Sequence, residues 1–275
     1  MRNLRQIIFI SFSIVGLISC SHQKKSQAEN KSDYSKTISF TGENKSFTSE
    51  LRLPEKFDSP LPAVVIIHEW WGRTERMDEV AQRLTKEGYA ALPVDLFGNG
   101  KTVETPAEAQ KLATPFYKNP QKGVELLNQY VEKLSKDPHI DPKKIVVIGY
   151  CFGGTQALNL ARSGADVAGV VSFHGTLDSS LKASSDMPAL LVLNGGSDPM
   201  VPPAQVKAFK EEMKKANAKL EFITYPNATH AFTNPRATAL GKKFNIPIAY
   251  DAKADQKSWQ EFMDFMKEVK KGELP

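Results

Sequence analysis

Two periods alternate along the chain. Residues 63–67, Ala-Val-Val-Ile-Ile, are an unbroken apolar run of the length and β-branched content of a strand buried on both faces. Residues 76–87 then carry apolar side chains at helical spacing, and Gly88 stops them. The pair recurs: a strand over 89–94, a helix over 106–136 interrupted around 115–120 by its prolines, a strand over 144–148 and a helix over 153–162. Strands over 167–173 and 189–193, a helix over 203–217, a strand over 220–225 and a closing helix over 252–270 complete the series. Ahead of them, residues 37–53 read as a polar antiparallel hairpin that turns at Gly42-Glu43-Asn44-Lys45. Strands alternating with helices predict an α/β fold, an open and mainly parallel sheet covered on both faces. Residues 231–250 form a long connection of the kind that builds lids or binding surfaces. In such sheets ligands sit just past the carboxyl ends of the strands, so those residues carry the functional reading.

The first twenty residues break the pattern. A basic start at Arg2 and Arg5 precedes an apolar run from Ile7 to Ile18, too short for a stable membrane span and of the form of a secretory signal. It ends Leu17-Ile18-Ser19-Cys20, which resembles the bacterial lipobox, where cleavage precedes a lipid-modified cysteine. The reading is therefore a signal peptide over residues 1–19, a polar tether over 20–36 beginning at a lipidated Cys20, and one domain over 37–275. It places the protein outside the cytoplasm, on the periplasmic face or the cell surface, touching a membrane only through its lipid.

Composition narrows the classes. The 275 residues are 41% hydrophobic, 24% charged and 9% aromatic, which is globular, and a chain of this length buries a core that needs no metal or disulfide. The net charge of +5 comes from scattered lysines without interleaved aromatics, which argues against nucleic-acid binding. Cys20 and Cys151 are the only cysteines, neither in CxxC spacing, and the five histidines are far apart, so no structural zinc site is expected. With Cys20 acylated, Cys151 has no disulfide partner within the chain.

Three segments carry candidate chemistry. Gly149-Tyr150-Cys151-Phe152-Gly153-Gly154 lies between a predicted strand and a predicted helix and has the form G-x-nucleophile-x-G, with Cys where Ser is usual. The glycines leave room for a sharp turn, and the helix N-terminus faces developing negative charge and favours a thiolate. A buried structural cysteine would also fit this segment taken alone. Asp198, in Asn194-Gly195-Gly196-Ser197-Asp198-Pro199, can orient an imidazole, although an Asp-Pro turn is also explained by conformation. His230 lies in the loop after the strand over 220–225 and can move a proton to and from the thiol, although a lone loop histidine is more often merely solvated. The order Cys151, Asp198, His230 is the nucleophile–acid–histidine order of the α/β-hydrolase fold, and each follows a strand.

With these residues in place, the chain over roughly 37–270 resembles the dienelactone hydrolase family of α/β-hydrolases. Gly-Tyr-Cys-Phe-Gly-Gly and His68-Glu69-Trp70-Trp71-Gly72 are the segments that carry the resemblance. It implies that a Cys151–His230–Asp198 triad opens esters or lactones through a thioester, that Glu69 contacts and tunes the thiol, and that the N–H groups of Trp70 and Phe152 form the oxyanion hole. Asp95 falls at a strand end where the family's Asp is structural, and His174, outside the triad order, is assigned a packing or hydrogen-bonding role. Trp70, Trp71 and Phe152 are candidates for an acyl pocket. One departure stands out: the family holds a substrate carboxylate with arginines, but residues 100–135 contain no Arg and position 234 is Asn. Arg73 and Arg236 are the available substitutes.

The expected function is a cofactor-free hydrolase of small carboxylic esters or lactones, with a monomer favoured. An envelope thioesterase or deacylase using the same triad, and a lipid-anchored binding protein without chemistry, are the alternatives.

Overall fold

A computed structural model describes residues 35–57 and 60–273. The signal peptide, Cys20 and all of the tether except its last two residues lie outside the described residues. Those two, Ser35 and Lys36, open the first strand, so the folded domain starts slightly earlier than the sequence pattern placed it. Lys36 is fastened there by an ion pair with Asp137 at 2.6 Å.

Strands β1 (Ser35–Gly42) and β2 (Lys45–Arg52) form the expected hairpin. Its two-residue turn puts both Glu43 and Asn44 at positive φ, the geometry whose twist matches that of the flanking strands. Then follow β3 (Leu61–Ile67), α1 (Glu75–Lys86), β4 (Ala90–Val94), α2 (Pro106–Lys118), α3 (Gln121–Ser135), β5 (Ile140–Tyr150) and α4 (Phe152–Arg162). The chain continues through β6 (Gly169–Phe173), β7 (Ala189–Gly195), α5 (Pro203–Lys215), β8 (Leu220–Tyr225), α6 (Ala237–Phe244) and α7 (Ala252–Lys271). The eight strands make one sheet in the order β1-β2-β4-β3-β5-β6-β7-β8, parallel from β4 to β8 and antiparallel at the β1–β2 end.

Because strand side chains alternate between faces, the apolar run of β3 serves two cores at once. Ala63, Val65 and Ile67 pack with α2, α3, α4 and α5 residues such as Phe116, Leu127, Leu158 and Phe209. Val64 and Ile66 pack on the other face with Met77 and Leu84 of α1 and Phe262 and Met266 of α7. All seven residues of β3 are buried, as an unbroken apolar run requires.

Two details differ from the pattern-based reading. The long helical stretch is broken at Asn119-Pro120, while Pro115 sits inside α2. The 231–250 connection is not irregular throughout: it contains α6, and His230 bridges to Ile248 beside it. Among the described residues no helix is long and apolar enough to cross a membrane.

Candidate active site

The carboxyl ends of β3, β5, β7 and β8 converge on Cys151. This residue has φ 55° and ψ −116°, a conformation that a non-glycine residue adopts only under constraint from its surroundings. The neighbouring glycines supply the room. A Cβ on Gly149 would stand 2.0 Å from the Gly153 carbonyl oxygen, and one on Gly153 would stand 2.4 Å from that of Ile67. The Cys151 N–H is held twice, by the Phe173 carbonyl at 3.0 Å and by His174 Nδ1 at 3.1 Å.

The three residues read from the sequence come together. His230 Nε2 lies 2.9 Å from Cys151 Sγ, and His230 Nδ1 lies 2.8 Å from Asp198 Oδ2. The second carboxylate oxygen of Asp198 accepts the Met200 N–H at 2.8 Å, which fixes the carboxylate toward the ring. Asp198 and His230 are both buried, while Cys151 is half-buried at the cavity. Burial of the ring opposes its charge, yet the negative charge of Cys151 and the bond to Asp198 outweigh it and push His230 up to about 10.

Glu69 follows β3 and is buried at the cavity wall. Its carboxylate accepts a hydrogen bond from Asn234 Nδ2 at 2.7 Å and faces Arg76 Nε at 3.8 Å. Its hydrogen bond thus goes to Asn234 rather than to the thiol, which differs from the contact the resemblance implied. His68 explains why the loop stands where it does: Nδ1–H donates to the Glu69 carbonyl at 2.6 Å, and Nε2 accepts the Leu96 N–H at 3.2 Å. Burial keeps that ring neutral by lowering its pKa, so one tautomer satisfies both bonds. Asp95 is structural as expected, its carboxylate accepting the N–H groups of Phe97, Gly98 and Gly100.

His174 is closer to the chemistry than its place in the sequence suggests. While Nδ1 accepts from Cys151, Nε2–H donates to Thr233 Oγ1 at 2.9 Å, and that oxygen also accepts from Arg76 Nη2 at 2.8 Å. Burial and the adjacent His230 hold its pKa well below the usual histidine value, so it stays neutral. Arg76 and Thr233 went unnoticed in the sequence. Arg76 is one polar position of an amphipathic helix, and only the fold shows its guanidinium behind the site, over the Tyr150 ring at 5.0 Å.

A cavity of about 250 Å³ opens over the thiol. Trp70, Trp71 and Phe152 line it, as do Tyr117, Met200 and Ile248. Arg73 and Arg236 do not. Arg73 is paired with Asp78 at 3.2 Å, and Arg236 lies exposed, 3.8 Å from the equally exposed Glu75. Both side chains are drawn toward carboxylates on or beside α1, which corrects the expectation that they reach the substrate pocket. Trp70 precedes Trp71 at the rim, and Phe152 is the first residue of α4, where N–H groups have no partner within the helix.

Comparison with known proteins identifies the family to which the folded domain is similar. The model of the dienelactone hydrolase family matches residues 48–270. An Escherichia coli K12 protein named "Putative carboxymethylenebutenolidase" is 26% identical over 226 residues, covering 78% of this chain and 80% of its own. A protein of the same name from Saccharolobus solfataricus is 28% identical over 270 residues, covering 86% and 99%. Among solved structures, a dienelactone hydrolase-like promiscuous phosphotriesterase from metagenomic libraries is similar, with a TM-score of 0.79 and 28% identity over 86% of this chain and 98% of that one.

Proposed function

The chain belongs to the dienelactone hydrolase family and is a hydrolase of carboxylic esters or lactones, and we propose that it cleaves them through a thioester formed on Cys151. The observation that carries this reading is the continuous chain from Cys151 Sγ through His230 to Asp198, built on a strained turn that opens into the cavity.

In the proposed cycle His230 holds the thiol proton while Cys151 Sγ attacks the substrate carbonyl. Asp198 keeps Nδ1 protonated, which aims Nε2 at sulfur and stabilises the imidazolium. The N–H groups of Trp70 and Phe152, with the positive end of α4, receive the oxyanion, each donor contributing about 2.7–4 kcal/mol to lowering the barrier. His230 then gives its proton to the departing alkoxide oxygen, leaving the acyl group on sulfur. A water molecule that loses a proton to His230 attacks the thioester, and collapse of the second tetrahedral adduct releases the acid and restores the thiol. Glu69, held by Asn234 and Arg76, is a positioning residue for the loop that carries the Trp70 donor.

The small volume of the cavity supports short esters and lactones over long acyl thioesters, which need more room to be enclosed. The test is turnover of a panel of aryl esters, lactones and acyl thioesters by the protein and its Cys151→Ala variant. Ester or lactone turnover that vanishes with the substitution, in a variant that still folds, is the expected result. Unchanged turnover in Cys151→Ala would overturn the nucleophile assignment, and a clear preference for thioesters would favour a thioesterase.

The Leu17-Ile18-Ser19-Cys20 sequence supports a second part of the proposal, that this hydrolase works outside the cytoplasm on a lipid anchor at Cys20.

A further inference from the structure

Among the described residues, none that lines the cavity over Cys151 is a lysine or an arginine. Its uncharged polar groups are Gln110, Thr176, Asn234, the Tyr117 hydroxyl and the indole N–H groups of Trp70 and Trp71, and its one carboxylate residue is Glu69. The ion pair between Glu69 and Arg76 is oriented. Glu69 lines the cavity, whereas Arg76 is turned away from it, bonded to Thr233 and stacked over Tyr150. The negative partner of the pair therefore belongs to the cavity lining and the positive partner does not. The cavity does have two positive features, His230 and the N-terminus of α4, but both lie at the reacting carbonyl. His230 is moreover already engaged between Asp198 and Cys151. Arg73 and Arg236, on the flanking loops, are paired elsewhere.

We infer that this site takes neutral, apolar acyl groups and discriminates against substrates whose acyl part ends in a carboxylate. The inference rests on the proposed hydrolase reading and narrows its substrate class. A carboxylate entering the cavity would exchange water for largely apolar walls and a few neutral polar groups, without gaining a lysine, an arginine or an unengaged cation, and would share the cavity with the acidic Glu69. A neutral acyl chain of the same length gains from the same walls, because it brings apolar surface out of water.

Two substrates with one leaving group and equal chain length read this directly: 4-nitrophenyl hexanoate and mono-4-nitrophenyl adipate. The expected kcat/KM ratio favours the hexanoate by roughly 100-fold, the scale on which a site rejects a group whose polar needs it cannot meet. Gln110 is exposed on α2 at the cavity wall, so Gln110→Arg supplies a cation without disturbing the core, and the ratio should narrow about 10-fold. Binding of the two esters to Cys151→Ala, followed through the fluorescence of Trp70 and Trp71, measures the same preference without turnover. Equal handling of the two esters, or a preference for the adipate in both assays, overturns the inference and leaves the hydrolase reading standing. Failure of the wild-type protein to turn over either ester, with the binding preference intact, overturns the hydrolase reading and leaves the charge preference of the cavity standing.

Discussion

His174 Nδ1 accepts the backbone N–H of Cys151 at 3.1 Å, so a histidine outside the catalytic chain holds the nucleophile's own peptide in place. Its other nitrogen is tied to Thr233, and through that hydroxyl to Arg76. The strained turn at Cys151 thus persists because neighbours on β6 and in the 231–250 segment over-determine it.

Replacing His174 tests this arrangement. His174 has φ 43°, so His174→Asn suits the backbone while being too short to reach Cys151 and Thr233 together. Stability should fall by about 1–3 kcal/mol, the cost of leaving buried polar groups unpaired. The value of kcat should fall about 10–100-fold with little change in KM, as for a small misplacement of a reacting group. Denaturant unfolding and steady-state kinetics measure both, and an unchanged kcat would reduce His174 to packing.

The same residue shapes the response to acid. His68 and His174 are both held neutral by burial, with pKa values below those of the unfolded chain. The unfolded state therefore binds protons first as the pH drops, and their contribution is complete above about pH 6.5 and lost on acidification below it. With two groups the slope reaches at most about 2.7 kcal/mol per pH unit. Unfolding free energies measured at pH 5 to 7 should show it, and His174→Asn should remove one proton's worth of that slope. A flat profile would contradict the neutral assignment of both rings.

His230 is displaced in the opposite direction. Burial alone would lower its pKa, and the negative charge of Cys151 is the largest influence raising it to about 10. Cys151→Ser removes that charge while keeping the shape, so the imidazolium should lose its proton at least about one pH unit earlier. Titration of the imidazole nitrogens by NMR gives both values. Equal pKa values in the two proteins would mean that Asp198 and not the thiol sets the charge of the ring.

Gly153→Ala tests the turn itself. Its Cβ would press on backbone oxygens of Ile67 and His68 at 2.4 and 2.6 Å, atoms that cannot rotate aside. Destabilisation should exceed the about 1–3 kcal/mol usual for overpacking, since β3 and α4 must separate to accept the methyl group. Thermal unfolding reports it, and a shift below that range would mean that the two backbones are less closely apposed.

For the anchor, Cys20→Ser should abolish incorporation of labelled fatty acid and move the protein from the membrane to the soluble fraction of cells. Persistent labelling would place the lipid elsewhere.

Much of this protein follows from local sequence. The strand and helix order, the hairpin turn, the elbow around Cys151 and the placement of Cys151, Asp198 and His230 after strands all depend on periodicity, glycine placement and chain order, which neighbouring residues encode. The orientation of long polar side chains is different. Arg76 meets Thr233 across 157 positions, and Asn234 meets Glu69 across 165. Whether an arginine reaches the cavity depends on where α1 and the loop after β8 are packed, and Arg73 is paired with Asp78 while Arg236 lies exposed beside Glu75. The hydrogen bonds of His174, the place of Glu69 in the cavity lining and the absence of lysine and arginine from that lining among the described residues were therefore decided only by the tertiary structure. They arise from contacts between segments that no local pattern relates.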